Sequence, residues 1–114
     1  MEVKFKNQYQ LFINGKWQDA SDKALIKVYN PANGEYLTSI ADASNEDVDL
    51  AVKAAQEAFK TWSKTTPVER ATILNKIADI IDANREILAT IETMDNGKPI
   101  RETMNADIPL AADH

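Results

Sequence analysis

Cysteine is absent from the 114 residues, and histidine occurs once, as His114. Without a thiol the chain has no thiolate nucleophile, no disulfide and no cysteine metal site. A Ser–His–Asp triad would have to take its base from a chain end, where order is usually poor. Glycine is scarce, at Gly15, Gly34 and Gly97 only, so the dinucleotide-binding fingerprint GxGxxG cannot occur. Basic residues are outnumbered 13 to 18, for a net charge of −5. Nucleic-acid affinity rests on Lys and Arg neutralising phosphates, so an acidic chain without a basic cluster points to no nucleic-acid partner. No stretch approaches the ~18 apolar residues of a membrane span. The opening MEVKFKNQYQ lacks a signal peptide's apolar run, and the expected setting is the cytoplasm with no membrane partner.

What is present reads as one folded domain. Apolar residues make up 44% and charged residues 27%, a balance that separates the chain from disordered sequences. The expected class is α+β, with strands and turns over 1–43 and helices over 44–114. Leu11-Phe12-Ile13 and Lys16-Trp17-Gln18 flank Asn14-Gly15, the preferred pair for a two-residue hairpin turn whose central residues both need positive φ. Ala24 to Tyr29 alternates, Asn30-Pro31-Ala32-Asn33-Gly34 is dense in turn formers, and Glu35 to Ala41 alternates again.

Helix signals follow. Ser44 with Asp47 forms a capping box, and acidic residues crowd the first turn. Val48, Val52, Ala55, Phe59 and Trp62 then make one apolar stripe. Thr66-Pro67-Val68-Glu69 is a second capping box with proline at the first helical position. Beyond it Leu74, Ile77, Ala78, Ile81, Leu88 and Ile91, widened by Ile73, Ile80 and Ile87, predict a second long helix of about two dozen residues, some 36 Å. Nothing else in the chain is long enough to cover that face, so another domain or another copy of the chain is expected against it. A short helix from Ile100 and another capped by Asp107 near Pro109 complete the reading. The aromatic residues Phe12, Trp17, Phe59 and Trp62 fit packing positions better than a ligand platform.

Two Asn-Gly-Lys tripeptides invite a search for phosphate chemistry. A Walker loop needs glycine five positions before its Gly-Lys and Ser or Thr after it. Those positions hold Gln10 and Trp17 at the first site, and Glu92 and Pro99 at the second. Both tripeptides therefore read as turns. In ETMDNGKP, Asn96 or Gly97 takes the left-handed position that ends a helix, and Pro99 prevents its continuation. Glu92 and Asp95 are either a solvated helix end or a carboxylate pair for a cation or for acid–base work.

Taken in order, LFINGKWQDAS, YNPANGEYLTSIADAS, EDVDLAVKAAQEAFKTWSKTTPVERATILNKIADII and ETMDNGKP resemble the N-terminal portion of the aldehyde dehydrogenase superfamily over residues 11–114. The resemblance implies NAD- or NADP-dependent oxidation of aldehydes to acids through a cysteine thiohemiacetal and thioester. It implies too that residues 1–114 form the outer part of the cofactor-binding domain. The family's catalytic cysteine, general-base glutamate, oxyanion-stabilising asparagine and Rossmann strands lie downstream of the matched motifs. No catalytic or cofactor-binding residue therefore transfers, and the chain alone is expected to bind no cofactor and to be inactive. One site transfers in part: a structural monovalent cation held by Asp95 and by the backbone carbonyls of Val28 and Tyr29. The alternative reading is a stand-alone, non-catalytic module that self-associates through its apolar helix face, and a homo-oligomer is expected.

Overall fold

The computed structural model describes residues 1–114, and the chain divides into two compact units. A strand unit comprises 5–28 and 36–65; a helical unit comprises 1–4, 29–35 and 66–114.

In the strand unit, β2 (Leu11–Ile13) and β3 (Lys16–Gln18) pair antiparallel, with Phe12 opposite Trp17 and Ile13 opposite Lys16. Asn14 (φ 52°) and Gly15 (φ 75°) form the turn, as the Asn-Gly pair predicts, because both positions require the left-handed region. The Phe12 and Trp17 rings lie 4.8 Å apart across the strands. β4 (Leu25–Tyr29) and β5 (Tyr36–Ala41) belong to a three-stranded sheet ordered β1–β5–β4. Its third member, β1 (Gln8–Tyr9), runs parallel to β5 with Gln8 opposite Ser39. Sequence alternation misses β1, because two residues carry no period. Its place is set by long-range polar bonds: Thr38 Oγ1 donates to the Lys6 carbonyl (2.7 Å), and the Ser39 N–H to that of Asn7 (3.3 Å).

α1 (Asn45–Trp62) opens on the expected capping box: the Asp47 N–H donates to Ser44 Oγ (3.3 Å), and the Ser44 N–H to the Asp47 carboxylate (2.9 Å). Its apolar stripe is largely uncovered, with Val48, Val52 and Phe59 at 52%, 50% and 63% exposure.

In the helical unit, α2 (Pro67–Ala83) starts at the Thr66–Glu69 box, where the Thr66 N–H donates to Glu69 Oε2 at 2.7 Å. The long helix predicted from the apolar spacing is interrupted at Asn84, and α3 (Arg85–Asn96) follows at once. Asn84 leaves the helical region (φ −111°, ψ 18°), and its Nδ2 donates to the Ile80 carbonyl at 2.8 Å. An asparagine amide that competes for helix carbonyls can break a helix without disturbing the hydrophobic period. After α3 come α4 (Ile100–Glu102), a π-helical turn (Thr103–Asp107) and α5 (Ile108–Asp113). The wide turn ends two residues before Pro109, whose ring would press on the residue 105 carbonyl in a regular helix. Asp107, expected to cap a new helix, is itself helical (φ −65°, ψ −53°) and makes no cap bond. α2 packs on α5, and α3 on the π turn, around buried Ala89, Thr103 and Ile108.

Candidate functional site

The sequence ETMDNGKP closes α3. Gly97 sits in the left-handed region (φ 78°) and donates its N–H to the Thr93 carbonyl at 3.0 Å. Asn96 Oδ1 accepts the Lys98 N–H at 2.8 Å, and Pro99 is extended. The helix stop predicted for these residues is therefore present, with Gly97 in the left-handed role.

The same turn makes three contacts that no local pattern reveals. A Cβ on Gly97 would lie 3.0 Å from Pro31 Cγ, so Asn30–Gly34 and Asn96–Pro99, two turns far apart in sequence, meet here. Thr93 and Thr103 share a hydroxyl hydrogen bond of 2.9 Å, with Thr103 fully buried. Lys98 Nζ pairs with the Asp107 carboxylate. Donation to Asp107 holds the Lys98 ammonium above its ordinary value, aided by the nearby charges of Asp107, Glu92 and Glu102. The same bond holds the Asp107 carboxyl below its ordinary range. The motif thus fastens the end of α3 to the π turn and to the loop at Pro31.

Asp95 lies in the last turn of α3, exposed, and its carboxylate forms no hydrogen bond or ion pair. Tyr29 closes β4 and belongs to the helical unit; Val28 is half-buried in the strand unit. No group of three or more His, Cys, Asp or Glu side chains is placed to hold a metal ion. Asp95 thus offers one free carboxylate, which by itself is not a closed ligand set. Glu92 is half-buried and only distantly bonded to Asn96 Nδ2 (3.5 Å), and its charge acts on Lys98.

In sequence the most enclosed carboxylate presents itself only as a cap. Asp47 is 1% exposed and accepts from the Ser44 N–H (2.9 Å), Ser44 Oγ (3.0 Å), the Ser21 N–H (3.1 Å) and Ser21 Oγ (3.4 Å). The backbone bonds from Ser44 and Ser21 hold its carboxyl below the usual range. Ser21 Oγ and Ser44 Oγ are 2.8 Å apart, so two hydroxyls and a carboxylate converge. They do not constitute a nucleophile and base, because a carboxylate with a lowered pKa is a poor proton acceptor. They staple the Ser21 turn to the start of α1. The box at 44–47 is legible locally; Ser21, 26 residues away, has no sequence signal.

A groove of about 500 Å³ is lined by Lys6, Gln8, Tyr9, Gln10, Trp17 and Asp19. Gln8 Nε2 (3.2 Å) and Gln10 Nε2 (2.9 Å) both donate to Asp19 Oδ1, so its polar groups engage one another. No helix is long and apolar enough to cross a membrane.

These features define an α+β framework whose most specific sequences build turns and caps. The aldehyde dehydrogenase family model matches residues 17–114, and the chain belongs to that family. It aligns with the family's N-terminal segment. It is 47% identical over 113 residues to a long-chain-aldehyde dehydrogenase of Acinetobacter, covering 99% of this chain and 22% of that protein. An aldehyde dehydrogenase of Vibrio cholerae is 46% identical over 112 residues, again with 22% of its length covered. Among solved structures, the NAD+ complex of the Bacillus cereus aldehyde dehydrogenase superposes with a TM-score of 0.88 at 39% identity, over 92% of this chain and 22% of that one. The chain therefore spans about a fifth of the length of the relatives it matches.

Proposed function

We propose that residues 1–114 serve as the outer part of the cofactor-binding domain of an NAD- or NADP-dependent aldehyde dehydrogenase of the cytoplasm, which oxidises aldehydes to carboxylic acids. The segment supplies scaffold and leaves the chemistry to other parts of the enzyme. The observation that carries this reading is the family match over residues 17–114 in a chain with no cysteine. The nicotinamide cofactor accepts hydride in such a reaction. This chain's own residues set the caps of α1 and α2 and close α3 against the π turn. Asp95 is the side chain proposed to contribute to a structural cation in the complete enzyme, through its unengaged carboxylate.

Two measurements test the proposal. The purified chain, given NAD or NADP and an aldehyde, should produce no reduced cofactor; turnover that copurifies with it would overturn the scaffold reading. Mixed with the remaining part of a relative such as the Vibrio cholerae enzyme lacking its own matching segment, it should restore activity that neither part has alone.

A second reading has its own support: α1 and α2 expose Val48, Phe59, Val68, Leu74 and Ile80, each by half or more. Uncovered apolar surface of this extent favours association. We propose that the isolated chain forms homo-oligomers through these faces. Sedimentation over a range of concentrations should show mass rising with concentration; a monomer throughout that binds no hydrophobic dye would overturn this second reading.

A further inference from the structure

Each of the three glycines follows an asparagine: Asn14-Gly15, Asn33-Gly34 and Asn96-Gly97. Asparagine before glycine is the sequence most open to spontaneous deamidation, because no side chain hinders the glycine nitrogen. That nitrogen attacks the asparagine Cγ, a C–N bond forms, and the side-chain amide leaves as ammonia. Water then opens the succinimide at either carbonyl to give aspartate or isoaspartate. The net change is one water consumed and one ammonia released, with no oxidant or catalyst.

The fold treats the three pairs differently. At Asn33 the attacking nitrogen is engaged, since the Gly34 N–H donates to the Asn30 carbonyl at 2.7 Å. The amide is held at both ends: Oδ1 accepts the Glu35 N–H (3.0 Å) and Nδ2 donates to Glu35 Oε2 (3.0 Å). At Asn96 the Gly97 N–H donates to the Thr93 carbonyl (3.0 Å), and Oδ1 accepts the Lys98 N–H (2.8 Å). Gly97 is also backed by Pro31. Asn14 has none of these restraints. Its side chain and the Gly15 N–H have no hydrogen-bond partner, both residues are exposed, and nothing lies within 4 Å of a Cβ built on Gly15. The flanking strands are three residues each, so the tip is held by a short ladder.

We propose that Asn14 is a modification site, where the FINGKW turn converts to aspartate and isoaspartate well before the other two Asn-Gly pairs. The product adds one negative charge at the hairpin tip. Isoaspartate also adds a backbone carbon to a turn that pairs Ile13 with Lys16.

The test is to age the folded chain at mildly alkaline pH and 37 °C, then map peptides by mass spectrometry with fragmentation that separates isoaspartate from aspartate. A parallel sample is aged in denaturant. Asn33 and Asn96 should convert roughly tenfold more slowly than Asn14 in the folded sample, because at least two ordinary hydrogen bonds must first break at each. In denaturant the three rates should converge. Conversion of Asn33 or Asn96 as fast as Asn14 in the folded chain would overturn the proposal. So would a ranking that persists in denaturant, or an Asn14 that stays intact when folded but converts when unfolded. Asn14→Ser, which keeps a small polar turn residue, should remove the early product and leave the other two rates unchanged.

Discussion

The strand unit and the helical unit solve the same problem with different chemistry. In the strand unit the most deeply buried side chain is a charge, Asp47, kept in place by donors from Ser44 and Ser21. In the helical unit the most deeply buried are Ala89, at 0% exposure, and Thr103, at 0%, where α3 meets the π turn. One interior depends on satisfying a carboxylate, the other on how closely small side chains let helices approach. Both leave large apolar residues exposed: Phe59 is 63% exposed and Leu74 65%. A modest core can thus be specified by polar staples and small residues, while the broad apolar stripes stay exposed.

The largest expected effect probes the helix contact. Ala89→Leu forces a bulky side chain into a site with no accessible surface and should destabilise the chain by about 1–3 kcal/mol, read as a lower urea midpoint by circular dichroism. If the midpoint is unchanged, close approach at Ala89 does not govern the helical unit. Next comes a matched pair of glycines, one in each unit. Gly97→Ala and Gly15→Ala both place a Cβ at positive φ, a cost of roughly 1–2 kcal/mol. Only Gly97 adds a contact, with Pro31 at 3.0 Å, so Gly97→Ala should be the worse of the two. Equal losses would mean that the meeting of the two turns contributes nothing.

Ser44→Ala should cost about 1 kcal/mol, and more than Thr66→Ala, although both residues are N-caps. Ser44 shares its carboxylate partner with Ser21, whereas the Thr66–Glu69 box is exposed. Equal costs would reduce the Asp47 staple to an ordinary cap.

The smallest effect is a difference in pH response. Asp47 and Asp107 both have carboxyls lowered from the ordinary value of 3.8, so the stability each gives is present above that value and lost as pH falls below it. Lys98 is raised from 10.5, so its contribution is present below that value and lost as pH climbs past it. Acid should loosen both units. Alkali above the ordinary lysine range should loosen the Lys98–Asp107 link and spare the Asp47 staple. Hydrogen exchange at 103–107 and at 44–48, followed at both extremes, checks this, and equal loss in alkali would refute it.

Local patterns are legible in the sequence where the cause is local. Asn14-Gly15 turns because only certain residues tolerate positive φ, and the Ser44 and Thr66 boxes close over three residues. The break at Asn84 was hidden because hydrophobic period continues across it while one amide competes for the backbone. The two-residue β1 was hidden because its only evidence is a partner in β5. Asp107 resembles a cap in sequence because an acidic residue just upstream of a helix-starting proline has that local preference. In the fold it is drawn instead to Lys98, nine residues earlier.

By itself the sequence determined the family, the α+β class, the Ser44 and Thr66 caps, the Asn-Gly turns, and the absence of a thiol in this chain. Those depend on residue identity and on contacts within a few positions. Only tertiary structure decided that Ser21 would complete the Asp47 staple, that Pro31 would rest on Gly97, and that Thr93 would meet Thr103. It also decided which Asn-Gly turns are held and which is free. The reason is physical: such contacts join groups distant in the chain, and their partners are chosen by packing rather than by local preference.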